Sequence, residues 1–354
     1  MAKKAKKFKF KKGNFNFISM DLGTTNTLVY VSGQGIIYNE PSVVAYDIND
    51  NVIVAVGEEA YKMVGKGNKK IKVIAPMVSG VITDIRATEA QLKFIFSRKN
   101  LFSSLKNSIV LLACPSQITK LEKQVLKKIA FDLGASHVFI EEEVKMAAIG
   151  GGININAPTG NLIVDIGGGT SDIAVIASGD IVLSKSIKIA GVFLNNEIKK
   201  YVRSHYGLGI GVKSAEKLKV DIGNLIKPKD KIVETVYGRD VVSGLPRSEE
   251  ISSEEILEII KTPIAKVIDL IVQVLETTPN ELSGDIYKNG ITICGGGGLI
   301  QGIAQYFSDT LSLPVRIGEE PLLAVINGTK KYETEIATRI MKEKKRKDII
   351  KHLN

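Results

Sequence analysis

Tryptophan is absent from the 354 residues, and cysteine (two) and histidine (three) are nearly so. Cys114 and Cys294 lie far apart inside apolar runs, which argues against a disulfide scaffold and predicts buried, reduced thiols. His137, His205 and His352 share no ligand-like spacing, so a histidine-built zinc site is disfavoured. No run of 18 apolar residues occurs, and no transmembrane helix is expected. The lysine-rich start is not followed by the apolar segment that a secretory signal needs. Two nucleotide-binding signatures are also missing. No G-x-x-x-x-G-K-[ST] is found, which excludes a P-loop. No G-x-G-x-x-G opens a helix after the first strand, which disfavours a dinucleotide fold.

What is present is apolar content of 44%, enough for two cores of ordinary domain size. The net charge of +10 is unevenly placed. Residues 1–12 hold seven lysines and no acid, and residues 339–354 hold seven basic residues against two acids. The chain between is close to neutral. Basic ends of this kind suit a polyanion, either an anionic membrane or a nucleic acid, or serve solubility alone.

The chain repeats itself. "DLGTTNTLVYV" begins at Asp21 and "DIGGGTSDIAVIA" at Asp165. Each reads as a strand, a tight glycine turn and a second strand, followed by "SG" and a third. After an insertion, both units continue as strand, helix, strand, helix. The first gives "SIVLLACPS", a helix over about 118–133, "HVFIEEE" and "VKMAAIG"; the second gives "GITICGGGG", "LIQGIAQYFSDTLS", "PVRIGEE" and "PLLAVINGT". In the 118–133 helix the spacing puts Ile118, Leu121, Val125, Ile129 and Leu133 on one face. This predicts a duplicated α/β domain with mixed sheets, helices on their faces and a cleft between the halves. The first core comprises 17–41, 75–154 and 324–340, with a small insertion at 42–74. The second comprises 155–190 and 255–323, with an insertion at 191–254. Residues 1–16 and 341–354 form basic tails. Ser252 and Glu255 make a capping box for a helix running to Leu275, and Pro263 is expected to break or kink it.

The glycine turns point to phosphate chemistry. Phosphate oxygens need backbone N–H donors at close range, and a Cβ obstructs that approach. "DIGGGT" reads as a hairpin whose amides wrap a phosphate, with Thr170 adding a hydroxyl, and "DLGTTN" as its mate on the opposite wall. Asp21 and Asp165 end strands and are expected to face the cleft. Two carboxylates before a polyphosphate suggest Mg²⁺, held through waters because that ion dehydrates reluctantly. A structural hairpin explains one such turn; two matching turns with matching acids favour a clamp. "CGGGGLIQGI" reads either as a close strand–helix packing turn or as the floor of an adenosine pocket.

These segments, with "NEPSVVAY", "VGEEAYKMVG", "PMVSGVITD" and "GLPRSEEISSEEI", resemble the MreB, or bacterial actin, branch of the actin, sugar kinase and heat-shock chaperone ATPase superfamily over about residues 17–335. The resemblance implies an actin-like duplicated ribonuclease H-like fold. It also implies an ATPase that binds ATP/ADP and Mg²⁺ and assembles into filaments, as paired protofilaments, beneath the cell membrane to govern cell shape. By position, Gly23, Thr24, Thr25 and Asn26 would meet the first phosphate region, and Gly167, Gly168, Gly169 and Thr170 would form the second clamp. Glu216 and Lys219 would hold the adenosine, and Gly295, Gly296, Gly297 and Gly298 would complete the base pocket. Glu143, with Thr170, would position the attacking water; Glu142 is the alternative register. Two departures stand out. "EEEVKMAA" has Val144 and Lys145 where the family has Pro and Met, and Lys145 is expected to alter the geometry at the water. "AGVFLNN" lacks an acid that the family often carries. Binding is thus a firmer expectation than fast hydrolysis.

Leu101 and Phe102 match an apolar loop that dips into lipid in some MreB proteins. "KKFKFKK" and the helical spacing of Ile349, Ile350 and Leu353 add to an expected anionic-membrane surface. Nucleic acid is not expected as a partner, since no repeated aromatic platform or recognition helix is present. Self-assembly and other MreB paralogues are the expected protein partners. Lysine- and isoleucine-rich usage suggests an AT-rich genome such as that of a wall-less bacterium, where the role would be helical shape or motility. The rival readings are a structural paralogue that hydrolyses slowly or not at all, and a chaperone- or kinase-type ATPase of the same fold.

Overall fold

The computed structural model describes residues 16–353, apart from 51, 67–68, 99–104, 106–107 and 228–229. Leu101, Phe102 and residues 1–15 lie outside the described residues. The first half opens with β1 (Asn16–Leu22), β2 (Asn26–Val31) and β3 (Gly35–Pro41). A separate three-stranded sheet follows, from β4 (Val44–Asp47), β5 (Val52–Val56) and, after helix α1 (Glu58–Met63), β6 (Ile71–Ile74). A short hairpin of β7 (Met77–Val78) and β8 (Val81–Ile82) leads to α2 (Ile85–Arg98), β9 (Ser108–Cys114), α3 (Lys120–Asp132), β10 (His137–Glu142) and α4 (Glu143–Gly150).

The second half repeats the plan with β11 (Asn161–Ile166), β12 (Ser171–Ala177) and β13 (Asp180–Ile187). Its insertion carries α5 (Gly191–Tyr206), β14 (Leu208–Gly209), α6 (Val212–Ile222), β15 (Val233–Asp240) and β16 (Pro246–Ser252). Then come α7 (Ser253–Thr277), α8 (Asn280–Asn289), β17 (Ile291–Cys294), a 3-10 turn, α9 (Ile303–Leu311), β18 (Val315–Ile317), a second 3-10 turn and α10 (Ala324–Leu353).

The main sheets run β10-β9-β1-β2-β3 and β18-β17-β11-β12-β13. Their pairing senses also match: β1–β9, β9–β10, β11–β17 and β17–β18 are parallel, and the hairpins are antiparallel. The duplication read in the sequence is therefore a duplication of topology. β9 and β12 are buried at every residue, as expected of strands covered on both faces. At the sheet edge, β13 begins with exposed and half-buried residues in alternation.

Helices α4 and α10 lie between the two sheets. Val144 and Met146 of α4 and Ile326 and Ile336 of α10 share one core with Ile109 and Leu111 of the first sheet and Ile163, Ala174 and Ile176 of the second. The helices touch backbone to backbone, and each supplies a glycine. A Cβ on Gly150 would overlap the Ala324 carbonyl, and one on Gly328 the Met146 carbonyl. Only glycine permits that approach.

The structure differs from the sequence reading in several elements. In α3 the buried residues are Leu126, Ile129 and Ala130, while Leu121 is 70% exposed. The helix starts at a Thr119–Glu122 capping box, and that start places Leu121 in the solvent-facing first turn. In α7 the Ser252–Glu255 box forms as expected, but the helix passes unbroken through Pro263. A mid-helix proline costs about 3 kcal/mol. Here Ile256, Ile260, Ile264, Val267 and Ile271 are buried along the same helix, and each buried side chain of this kind contributes about 1.5–3 kcal/mol. After "CGGG" the chain first makes a 3-10 turn, Gly296–Leu299, so α9 begins only at Ile303. The basic C-terminal segment continues α10 as helix to Leu353. Cys114 and Cys294 are free and buried, as expected.

Candidate functional site: two facing hairpins over a group of buried acids

Asp21 is paired with Ala113 near the carboxyl ends of β1 and β9, and Asp165 with Cys294 near those of β11 and β17. Glu143 is the first residue of α4, directly after β10. The carboxyl ends of parallel strands are where open α/β sheets gather ligand groups.

The two turns beyond these acids meet. A Cβ on Gly168 would overlap Thr25 Oγ1, and one on Gly169 would overlap Thr24 Oγ1. Glycine at 168 and 169 is thus what lets the hairpin tips of the two halves come together. The first tip is braced from behind. Ser42 Oγ donates to Gly23 O at 2.7 Å, Ser42 N to Thr25 O at 2.8 Å, and Gly80 N to Thr24 Oγ1 at 3.3 Å. The second is closed by Gly167 N donating to Thr170 O at 3.0 Å. It is tied to the start of α5, where Gly191 N donates to Gly167 O at 3.1 Å and Val192 N to Gly168 O at 2.9 Å.

Burial and mutual repulsion dominate the electrostatics. Burial pushes the Asp21 carboxyl up to about 7. Burial, then the charges of Asp172 and Asp21, push Asp165 up to about 8. Glu143, only 9% exposed, is raised well above the usual range by burial and then by Asp21, Asp172 and Asp165. Asp172 is raised by burial, against which the Thr170 hydroxyl donates to its Oδ2 at 2.7 Å. Glu143 Oε1 and Asp172 Oδ1 are buried without a hydrogen-bond partner. Three buried carboxylates beside the half-buried Asp21 favour a hard cation. Among the described residues no three acids, histidines or cysteines come close enough to chelate a metal directly. A Mg²⁺ bound at these acids would therefore be held through waters or ligand oxygens.

The remaining sequence candidates fall at different distances from this centre. Lys219 of α6 donates to Gly191 O at 3.3 Å, one step from the second hairpin, and burial lowers its pKa. Glu216 lies one turn earlier on the same helix. The Asn26 amide donates to Asn39 Oδ1 on β3 at 3.2 Å and braces the strand. Gly295 and Gly297 press against the end of β11: a Cβ on either would overlap Ile166 atoms. Close packing, one of the two roles left open for this run, is thus present. Glu142 ends β10 with Oε2 buried and unpartnered, and its charge acts on Asp172.

One expectation is overturned. Lys145 does not approach the acids around Glu143. It is buried at 5% exposure on another side of α4, with Nζ 3.3 Å from Asp180 Oδ1, 3.9 Å from Glu141 Oε2 and 5.7 Å from the Tyr332 ring centroid. Two positions along a helix turn a side chain by more than a quarter circle, out of its neighbour's direction. Arg339 of α10 completes that outer group, 2.7 Å from Glu141 Oε1.

Asp172 was not singled out from the sequence. Its signal is the hairpin register: Ile166 faces Ser171 across the turn, so Asp165 must face Asp172.

The MreB/Mbl protein family model matches residues 15–341. The chain is 44% identical to the cell shape-determining protein Mbl of Bacillus subtilis (strain 168) over 312 residues, covering 88% of this chain and 94% of Mbl. Among solved structures, MreB 5 of Spiroplasma citri bound to AMPPNP superposes with a TM-score of 0.91 at 51% identity, covering 94% of this chain and 99% of that one. The same protein bound to ADP gives 0.89 at 52% identity, covering 92% and 98%. The MamK double helical filament, at 23% identity and a TM-score of 0.75 over 89% of this chain and 97% of that one, shares the fold. Topology, hairpins and sequence agree: the chain belongs to the MreB/Mbl family of actin-fold, cell shape-determining proteins.

Proposed function

We propose that this chain binds ATP with Mg²⁺ between its two halves, hydrolyses it slowly, and polymerises into filaments on an anionic membrane surface. The observation that carries the reading is the pair of hairpin tips brought together over four acids, of which Glu143, Asp165 and Asp172 are buried and Asp21 is half-buried. Each wall supplies backbone amides for a polyphosphate, and the first adds the hydroxyls of Thr24 and Thr25, that of Thr170 being donated to Asp172. Asp21 and Asp165 would hold the waters of Mg²⁺, which would neutralise phosphate charge. Glu143 would orient the attacking water, with Thr170 beside it; phosphoryl transfer needs positioning and charge neutralisation more than a strong base. Glu216 and Lys219 would face the nucleoside, with Gly296 and Gly298 flanking the base. Nucleotides on MreB 5 of Spiroplasma citri support the ligand class, and the filament of MamK supports assembly.

No described helix is long and apolar enough to cross a membrane. Membrane attachment therefore rests on the basic ends of the chain and on Leu101 and Phe102, with each lysine near an anionic surface contributing about 1 kcal/mol. Other MreB paralogues are proposed as co-assembling partners. The orientation of Lys145 removes one of the grounds for a non-hydrolysing paralogue; the acid missing from "AGVFLNN" keeps slow hydrolysis in the proposal.

Sedimentation with Mg-ATP against Mg-ADP, with the pellet viewed by negative stain, tests the proposal. Ordered filaments favoured by ATP are expected. Protein that stays in the supernatant under every nucleotide, salt and anionic-vesicle condition would refute it.

A further inference from the structure

The insertions of the two halves touch through three side chains. Tyr61 lies on α1, in the insertion of the first half, and Lys213 and Glu216 lie on α6, in the insertion of the second. Lys213 Nζ donates to the Tyr61 carbonyl at 2.6 Å, and the same ammonium sits 4.1 Å from the Tyr61 ring centroid. The Tyr61 hydroxyl donates to Glu216 Oε2 at 3.4 Å. One tyrosine is thus held at its backbone, its ring face and its hydroxyl. An ammonium within about 6 Å of a ring centroid is an attractive contact, and 3.4 Å is a long hydrogen bond that small motions break.

Glu216 and Lys219 stand three residues apart and share a face of α6. Lys219 reaches Gly191 beside the second hairpin. Tyr61 meets the neighbouring position on that face from the opposite half. We infer that Tyr61 and Lys213 form a clasp over the nucleoside side of the cleft, which sets how long a nucleotide stays bound. Tyr61 is then a positioning residue: it orients the Glu216 carboxylate and links the insertions while the cleft is closed. The inference rests on the nucleotide-binding reading above. Its chemistry is economical, because the link is weak enough to open at each exchange. A closed cleft is favoured only as far as its contacts exceed those of the open one, and lids of this kind often set the rate of product release.

The test is stopped-flow dissociation of a fluorescent ADP analogue with Mg²⁺ from the full chain, chased with unlabelled ATP. Tyr61→Phe, which removes only the hydroxyl, should release ADP about two- to tenfold faster, the span expected for one hydrogen bond. Lys213→Ala should do at least as much. Glu216→Gln combined with Tyr61→Phe should release ADP no faster than the faster of the two single variants, because the pair acts as one contact. Thermal unfolding without nucleotide should be unchanged in Tyr61→Phe, which separates the clasp from a purely structural role. If the wild type binds the analogue and the variants release it at the wild-type rate or slower, the clasp is wrong and nucleotide binding stands. If the wild type binds no adenine nucleotide, both are wrong.

Discussion

Across the hairpin of the first half, Asp21 faces Leu28; across that of the second, Asp165 faces Asp172. The sheets around them have the same order and the same strand directions. The first tip carries threonine side chains where the second carries glycines, and each fills the space the other leaves. Duplication supplied one scaffold twice, and the chemistry then divided between the copies. The first half contributes hydroxyls and, through α4, Glu143. The second contributes bare backbone and a second carboxylate. A site built from two unlike walls can hold an asymmetric ligand, which two identical walls could not orient.

The largest expected effect concerns Glu143, the acid at the start of α4. Glu143→Ala should lower single-turnover phosphate release by about 10²–10⁴-fold, the usual worth of a residue that positions or moves a proton, while nucleotide binding persists. Wild-type turnover in that variant would move the role elsewhere, with Glu142 next in line.

The glycines at the seam between the halves come next. Gly150→Val and Gly328→Val should each destabilise the fold by about 3 kcal/mol or more in denaturant titrations, because the obstructing atoms are backbone carbonyls that cannot turn aside. Near-equal losses would confirm that α4 and α10 play equivalent parts; a loss at only one position would break the equivalence.

The raised carboxyls of Asp21 in the first half and Asp165 in the second predict a pH dependence. Asp21 and Asp165 bind protons more tightly in the folded chain than in an unfolded one, whose ordinary aspartate value is about 4. The folded state is therefore favoured while they stay protonated, and it loses stability as pH rises from about 4 through 7 and 8. Without divalent cation, Asp165→Asn should remove part of that slope and raise stability at pH 8 by at least about 1–3 kcal/mol, the cost of one buried unsatisfied polar group, which a charge exceeds. Asp172→Asn should move the proton affinity of Asp165 downward, whereas Leu28→Ala in the first hairpin should not change that of Asp21 in the same way. Thermal melts and proton titration by NMR read both.

The smallest effect is expected at Lys145. Lys145→Met should alter turnover less than about threefold and stability by about 1 kcal/mol, since Asp180 is exposed and Glu141 keeps Arg339. A large change in turnover would return Lys145 to the water site.

Much of this arrangement was legible in the sequence because it rests on local rules. Gly-rich turns after apolar strands, an Asp at each strand end and the Ser252–Glu255 cap are all short-range signals, and each led to the element found. Elements that depend on long-range packing were less legible. Leu121 fits the helical face by spacing, yet the Thr119 cap puts it in the exposed first turn. Pro263 breaks an isolated helix but not one with an apolar side this fully buried. Lys145 reads as a neighbour of Glu143 in one dimension and sits around the helix from it in three. The contact of Tyr61 with Glu216 joins residues 155 apart in sequence, and no pattern along the chain announces it.

The two-walled clamp is tested most directly by calorimetric titration of ATP, with and without Mg²⁺, into the wild type, Asp21→Asn, Asp165→Asn and the double variant. A clamp with one acid on each wall predicts that each single change weakens Mg-ATP binding at least tenfold while Mg-free binding falls far less, and that the double variant loses the benefit of Mg²⁺ altogether. Wild-type Mg-ATP affinity in the double variant would contradict it.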